Sequence, residues 1–191
     1  MQIFIFDNVT NTLQIDDYSI LLIKEFANLW NPERNKCKED KTGNKRLKAY
    51  KEFTYIYLVL DFKSPYFKSP IKDRQEAALI DSGLKEKDLE DPEFIAAYKK
   101  YEELQDADPI LTSIKVAYRT LYKYQIYLDN IDFTETDVDG KPIHKCADVL
   151  KSISEISKMR TTLQELEQTH KTNLAAQSKV RGDVELGAFD D

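Results

Sequence analysis

The sequence predicts a mainly helical fold: a bundle with long helices, a short N-terminal β-hairpin, a second small hairpin near residues 133–144 and an extended C-terminal tail. Three observations lead there. Glycine and proline are scarce, five and six among 191 residues, so few turns separate the elements. Apolar residues recur at three-four spacing in several segments. Two runs rich in β-branched and aromatic residues flank a polar turn in the first 15 residues. With 41% hydrophobic and 32% charged residues the composition is that of a globular chain, and the length suits one sizeable core. The expected organisation is a single helical domain over 1–178, with a hairpin arm at 1–15 and a long helix at 146–177, followed by a flexible or partner-docked tail at 179–191.

Gln2–Phe6 and Thr12–Ile15 read as the two strands of the hairpin, with Asp7–Asn11 as its turn. Such a hairpin is marginal alone and must lean on helices or on a neighbouring subunit. Asp16 and Asp17 can cap a helix whose apolar residues are Ile20, Leu21, Ile23, Phe26, Ala27 and Trp30, ending at Asn31-Pro32. Residues 33–44 form a charged connector containing Gly43. From about Lys45 to Phe62 the spacing predicts a helix apolar nearly all round, with Leu47, Tyr50, Phe53, Ile56, Tyr57 and Leu60 on one face and Tyr55, Leu58 and Val59 filling much of the rest. A buried strand over Thr54–Leu60 competes, but no turn signal divides this stretch from the residues before it.

Ser64-Pro65 and Ser69-Pro70 hold an irregular loop carrying Tyr66 and Phe67, because proline pushes its predecessor out of helical geometry. Asp73–Ser82 reads as a helix stopped by Gly83, and Asp91-Pro92 and Asp108-Pro109 each start another. Asp139-Gly140 is the turn of the second hairpin. From Ala147 to about Gln177, Val149, Ile153, Ile156, Leu163, Leu166, His170 and Leu174 approach a coiled-coil seam, which Arg160 interrupts.

Few residues point to chemistry. Glu135, Asp137, Asp139 and Gly140 imitate a calcium loop, yet the twelfth position, where a bidentate carboxylate belongs, is Cys146. His144 and Cys146 offer two soft ligands where zinc needs four, and Cys37 and His170 are distant in sequence. No Ser or Cys stands beside a His oriented by an acid, and the carboxylate pairs Glu102-Glu103 and Glu165/Glu167 fall on predicted solvated faces. The expectation is a non-enzymatic protein with no catalytic, cofactor-binding or metal-binding residues. Met1–Asp7 lacks a basic start and a long apolar run, and no stretch is long enough to span a bilayer, so neither secretion nor membrane insertion is expected. Cys37 and Cys146 are expected to stay reduced.

Charge is unevenly distributed. The net charge is −6, yet Arg34–Lys51 carries eight basic and two acidic residues while Asp81–Asp108 carries ten acidic and four basic. Such opposed segments suit head-to-tail contact between copies, and equally suit a solvated face. The basic stretch could also contact phosphates, which makes a DNA-associated or regulatory protein the alternative function.

The order of the pieces carries a resemblance. The hairpin, Tyr18-Ser-Ile-Leu-Leu-Ile-Lys-Glu-Phe-Ala-Asn-Leu-Trp30, the lysine-rich link, Lys48-Ala-Tyr-Lys-Glu-Phe-Thr-Tyr-Ile-Tyr57, Asp61-Phe-Lys-Ser-Pro-Tyr66, Asp73-Arg-Gln-Glu-Ala77, Gly140-Lys-Pro142 and Arg181-Gly-Asp-Val-Glu-Leu-Gly187 together resemble virion structural proteins of tailed bacteriophages, especially crAss-like phages of gut bacteria. The resemblance implies a head-to-tail connector, a neck or tail ring subunit made in the host cytoplasm and resident in the virion. Its partners would be other copies of itself, the portal and neighbouring neck or tail proteins. On that footing Lys36, Lys38, Lys45 and Lys48 are expected to face Glu90, Asp91 and Glu93 of the next copy, with Tyr66 and Phe67 also at the subunit interface. Val184, Leu186 and Phe189 are expected to dock the tail on another virion protein.

Overall fold

The computed structural model describes residues 4–7, 12–15 and 20–186, excepting the side chains at 6, 7, 12, 174, 175 and 177–186. It is mainly helical with a short N-terminal hairpin, as the sequence predicts. Strands β1 (Phe4–Asp7) and β2 (Thr12–Ile15) pair antiparallel with Phe4 opposite Ile15. Six α-helices follow among the described residues: α1 (Lys24–Leu29), α2 (Leu47–Leu60), α3 (Ile71–Ser82), α4 (Pro92–Asp106), α5 (Pro109–Asp129) and α6 (Cys146–Leu186). None is long and apolar enough to cross a membrane. The chain divides into two compact units, Met1–Pro109 and Ile110–Asp191.

Helix α2 is the centre of the first unit. Tyr55 to Leu60 are all buried, as are Ala49, Glu52 and Phe53, so the near-uniform apolar character marks a surrounded helix and not a strand. Phe4 reaches from β1 into an aromatic cluster, its ring centroid 5.4 Å from Phe53 and 5.2 Å from Tyr101. Phe26 of α1 meets Phe53 edge-on at 5.7 Å, and Phe94 of α4 meets Tyr55 at 5.8 Å. The hairpin thus gains the apolar cover that two strands lack by themselves. Tyr101 donates its hydroxyl proton to Asp61, and burial first, then the Asp61 charge, pushes its own ionisation well above the ordinary tyrosine value.

The Ser-Pro loop closes the far end of α2. The last carbonyls of a helix have no intrahelical donor. Here Ser64 Oγ donates to Leu58 O at 2.6 Å, and Arg74 of α3 donates to Val59 O at 3.2 Å and to Ser69 O at 2.7 Å. Phe67 is buried and packs edge-on to Phe62 at 5.1 Å. Gly83 adopts φ +66 and ends α3, while Asp91 accepts a hydrogen bond from Glu93 N to begin α4.

One expected element breaks. Instead of a continuous helix through Ile20–Trp30, the helical backbone at Ile20 and Leu21 stops, Ile23 is extended and a helix resumes over Lys24–Leu29. The bend keeps Ile20 buried but turns Leu21 and Leu22 to solvent.

In the second unit, Tyr118 of α5 donates to Glu167 of α6 at 2.5 Å, within a strip where Leu111, Ile114, Leu121, Leu163 and His170 are buried. Between these helices the Asp-Gly turn forms as expected: Asp137 N donates to Lys141 O, Gly140 has φ +76, and Thr136 bridges Pro142. The backbone of α6 stays helical to Leu186, past 179 where a tail was expected, and 187–191 lie outside the described residues. Truncating Phe53 to alanine should cost about 3–5 kcal/mol in urea denaturation of the full chain, whereas Ile80→Ala, at an exposed site, should stay within about 0.5 kcal/mol.

Candidate functional site

The basic segment, expected to be a charged connector with a solvated or subunit-facing basic patch, is a folded loop that seats the start of α2. Asn35 is buried; its Nδ2 donates to Leu29 O and Asn31 O, both at 2.8 Å, and its Oδ1 accepts from Ala49 N at 2.8 Å. One side chain thereby joins the end of α1 to an otherwise orphaned amide in the first turn of α2. Asp40 is also buried and accepts from Thr42 Oγ1, Gly43 N and Lys45 N. Burial pushes the Asp40 carboxyl up, but these donors and the Lys45 charge outweigh it and hold it below the usual carboxylate range. Gly43 has φ +72, and a β-carbon there would lie 1.8 Å from Pro32 O, so both conformation and space require glycine. Arg46, left-handed at φ +51, donates to Trp30 O at 3.1 Å and places its guanidinium 4.8 Å from the Trp30 ring centre.

Arg34 is the hub. Its guanidinium forks onto Glu52, Nη1 to Oε2 at 2.5 Å and Nη2 to Oε1 at 2.8 Å. Nη2 also reaches Asp91 at 2.8 Å and Nε lies 2.6 Å from Glu93. Lys48 Nζ adds a contact to Asp91 at 2.8 Å and one to Glu52 at 3.7 Å. The 3-10 turn Pro32–Asn35, α2 and the first turn of α4 are therefore tied by two cations and three carboxylates. The Glu52 side chain is wholly buried, Arg34's is 11% exposed, and the planar fork satisfies both carboxylate oxygens, which a lysine could not do in this geometry. Burial lowers the Arg34 guanidinium's affinity for its proton, and the hydrogen bond and charge of Glu52 with the charges of Asp91 and Glu93 reverse that and raise it. Burial likewise pushes Asp91 up, but Lys48, the Glu93 amide and the Arg34 charge prevail and bring it down to about 2.

Part of the expected set of ion pairs forms within one chain. Lys48, Asp91 and Glu93 do come together, but inside one chain. The basic and acidic segments attract each other as anticipated; chain folding brings them within reach before any second copy is needed. Lys36 pairs with neighbouring Glu33 at 2.6 Å. Lys38, Lys45 and Glu90 are exposed and make no ion pair among the described residues. Tyr66 donates to Asp81 at 2.5 Å, which with burial raises its own ionisation, and Phe67 is core. The side chains of Val184 and Leu186, and all of Phe189, lie outside the described residues. Sequence reading missed Arg34 and Glu52. A signal existed for the second: Glu52 sits among Ala49, Phe53 and Ile56 on an inward face, and a carboxylate there requires a cation.

The arrangement clamps three segments, with Nε, Nη1 and Nη2 of Arg34 all engaged by carboxylates. Replacing Arg34 by methionine strands the Glu52 charge and should cost about 3–5 kcal/mol in chemical denaturation, while Arg34→Met with Glu52→Leu should recover most of that loss. Because the folded Asp91 ionises below the unfolded value of about 3.9, its stabilisation is complete above that pH and disappears as pH falls toward about 2. Asp91→Asn should therefore flatten the slope of stability against pH between about 4 and 2. Comparison with known proteins finds no matching family model, no matching curated protein and no matching solved structure.

Proposed function

We propose that this chain is a non-enzymatic structural subunit of a tailed-phage virion, a head-to-tail connector component that assembles in several copies near the portal. The reading begins from the sequence resemblance. The structural observation that carries it is the apolar surface left on the two long helices of the second unit: Tyr122, Ile126 and Tyr127 on α5, and Leu150, Ile153 and Leu166 on α6, are all substantially exposed. Repeated exposure of large apolar side chains on long helices suits contact with other protein surfaces. The first unit complements this with a body whose loop, helix starts and buried charges are cross-tied, as a load-transmitting subunit needs.

The folded loop also weighs against the alternative of a DNA-associated protein. Of the eight basic residues in 34–51, Arg34 and Lys48 are held by carboxylates, Lys36 by Glu33 and Arg46 by Trp30, leaving half the count for phosphates.

Sedimentation of the purified full chain alone and with virion extracts, beside immunogold imaging of particles, tests the proposal. Label at the head–tail junction and oligomers of defined mass are expected. Absence of the protein from purified particles, or DNA binding that weakens steeply with salt, would overturn it.

A further inference from the structure

His144 sits where three parts of the second unit meet: the end of α5, the Asp-Gly hairpin and the residues that lead into α6. Its ring meets Tyr127 of α5 edge-on at 6.3 Å, and Tyr127 in turn stacks on Tyr124 at 6.1 Å. Its Nε2 lies 3.8 Å from a carboxylate oxygen of Glu135, on the opposing side of the hairpin. The backbone closes the same point, since Ile143 N donates to Glu135 O at 3.0 Å and Thr136 bridges Pro142. Asp132 feels the same charge: the Thr134 hydroxyl and amide, with a smaller contribution from His144, hold its carboxyl below the usual carboxylate range. The His144 side chain is 22% exposed, so protons reach it while its neighbours screen it in part.

We propose that His144 is a pH-sensitive latch, fastening the 132–144 hairpin to the end of α5 when its imidazole is protonated. The groups that face it set the sign. The hairpin contributes two carboxylates, Glu135 and Asp132, and α5 contributes the aromatic ring of Tyr127. Lys141 is engaged with Asp139 at 3.9 Å. Lys145, next in sequence, opposes a positive imidazole, and Asp148 in the first turn of α6 favours it; both are exposed. An imidazolium attracts Glu135 and Asp132, whereas a neutral ring leaves the hairpin to its backbone bonds and the Tyr127 contact. The added attraction is therefore present below the ordinary histidine value of about 6.5 and lost above it, with carboxylates ordinarily ionised down to about 4.3. The hairpin carries Val138 fully exposed at its turn, with Phe133 and Ile143 about half exposed, so the latch governs how rigidly these apolar side chains are presented. It does not depend on the virion reading.

Amide hydrogen exchange on the full chain, resolved residue by residue and corrected for intrinsic rates, tests the latch. The amides of Asp137 and Ile143 donate within the hairpin. Their protection should be about two- to fivefold higher at about pH 5.5 than at about pH 8, the modest size expected of a partly exposed ion pair. His144→Gln should bring that ratio to about one. Glu135→Gln should lower it while keeping the imidazole and its Tyr127 contact, which isolates the ion pair from packing. A wild-type ratio near one overturns the latch. So does a ratio that survives His144→Gln or is unchanged in Glu135→Gln, since the titrating group or its partner would then lie elsewhere.

Discussion

A carboxylate with no access to water organises the first half of this protein. Glu52 lies on the inward side of α2, and a charge left unpaired there would cost about 3–5 kcal/mol, a large share of a domain's stability. The Arg34 fork neutralises it with two in-plane hydrogen bonds, and in doing so fixes where the segment between α1 and α2 must run. Asp91 and Glu93 then close on the remaining donors of Arg34, which sets the start of α4 against the same point. Replacing such a group by well-packed apolar residues is often neutral in stability. Its contribution here is positional: three segments distant in sequence have one mutual arrangement in which all five charged groups are compensated.

Around that clamp the hydrophobic side of the fold follows ordinary rules. Helix α2 is apolar nearly all round because α1, α3, α4 and the hairpin surround it, and aromatic rings fill the space where four elements converge. Both of its ends receive partners from outside the helix. Asn35 serves an amide at its start, and Ser64 and Arg74 serve carbonyls at its end. Where α2 is buried, at Ala49 and over Tyr55–Leu60, water is not at hand for those groups, so the flanking loops supply their partners. The loop rich in lysine and the loop rich in Ser-Pro are thus parts of the core's polar satisfaction.

The division into two units separates two kinds of surface. The first unit pairs Arg34 and Lys48 with Glu52, Asp91 and Glu93 within one chain. The second leaves long helices with apolar and cationic residues facing outward. The proposed subunit role draws on both properties, since a rigid body transmits position and an outward apolar face suits a neighbour.

The sequence by itself determined the helical class, the N-terminal hairpin, the Asp-Pro helix starts at 91 and 108, the Gly83 stop and the Asp139-Gly140 turn. Each of these is local: a fixed proline φ, a glycine able to reach positive φ, or a spacing of apolar residues read over a few turns. It also showed that the 34–51 and 81–108 segments carry opposite charge. Only the tertiary structure decided that these segments meet within one chain, that Arg34 and Glu52 are the centre of that meeting, and that the predicted helix after Asp17 is broken at Ile23. The physical reason is distance. Coulomb attraction and burial act between residues brought together by the whole fold, 18 positions apart for Arg34 and Glu52 and 57 for Arg34 and Asp91, and no local pattern encodes which of many opposite charges will be neighbours.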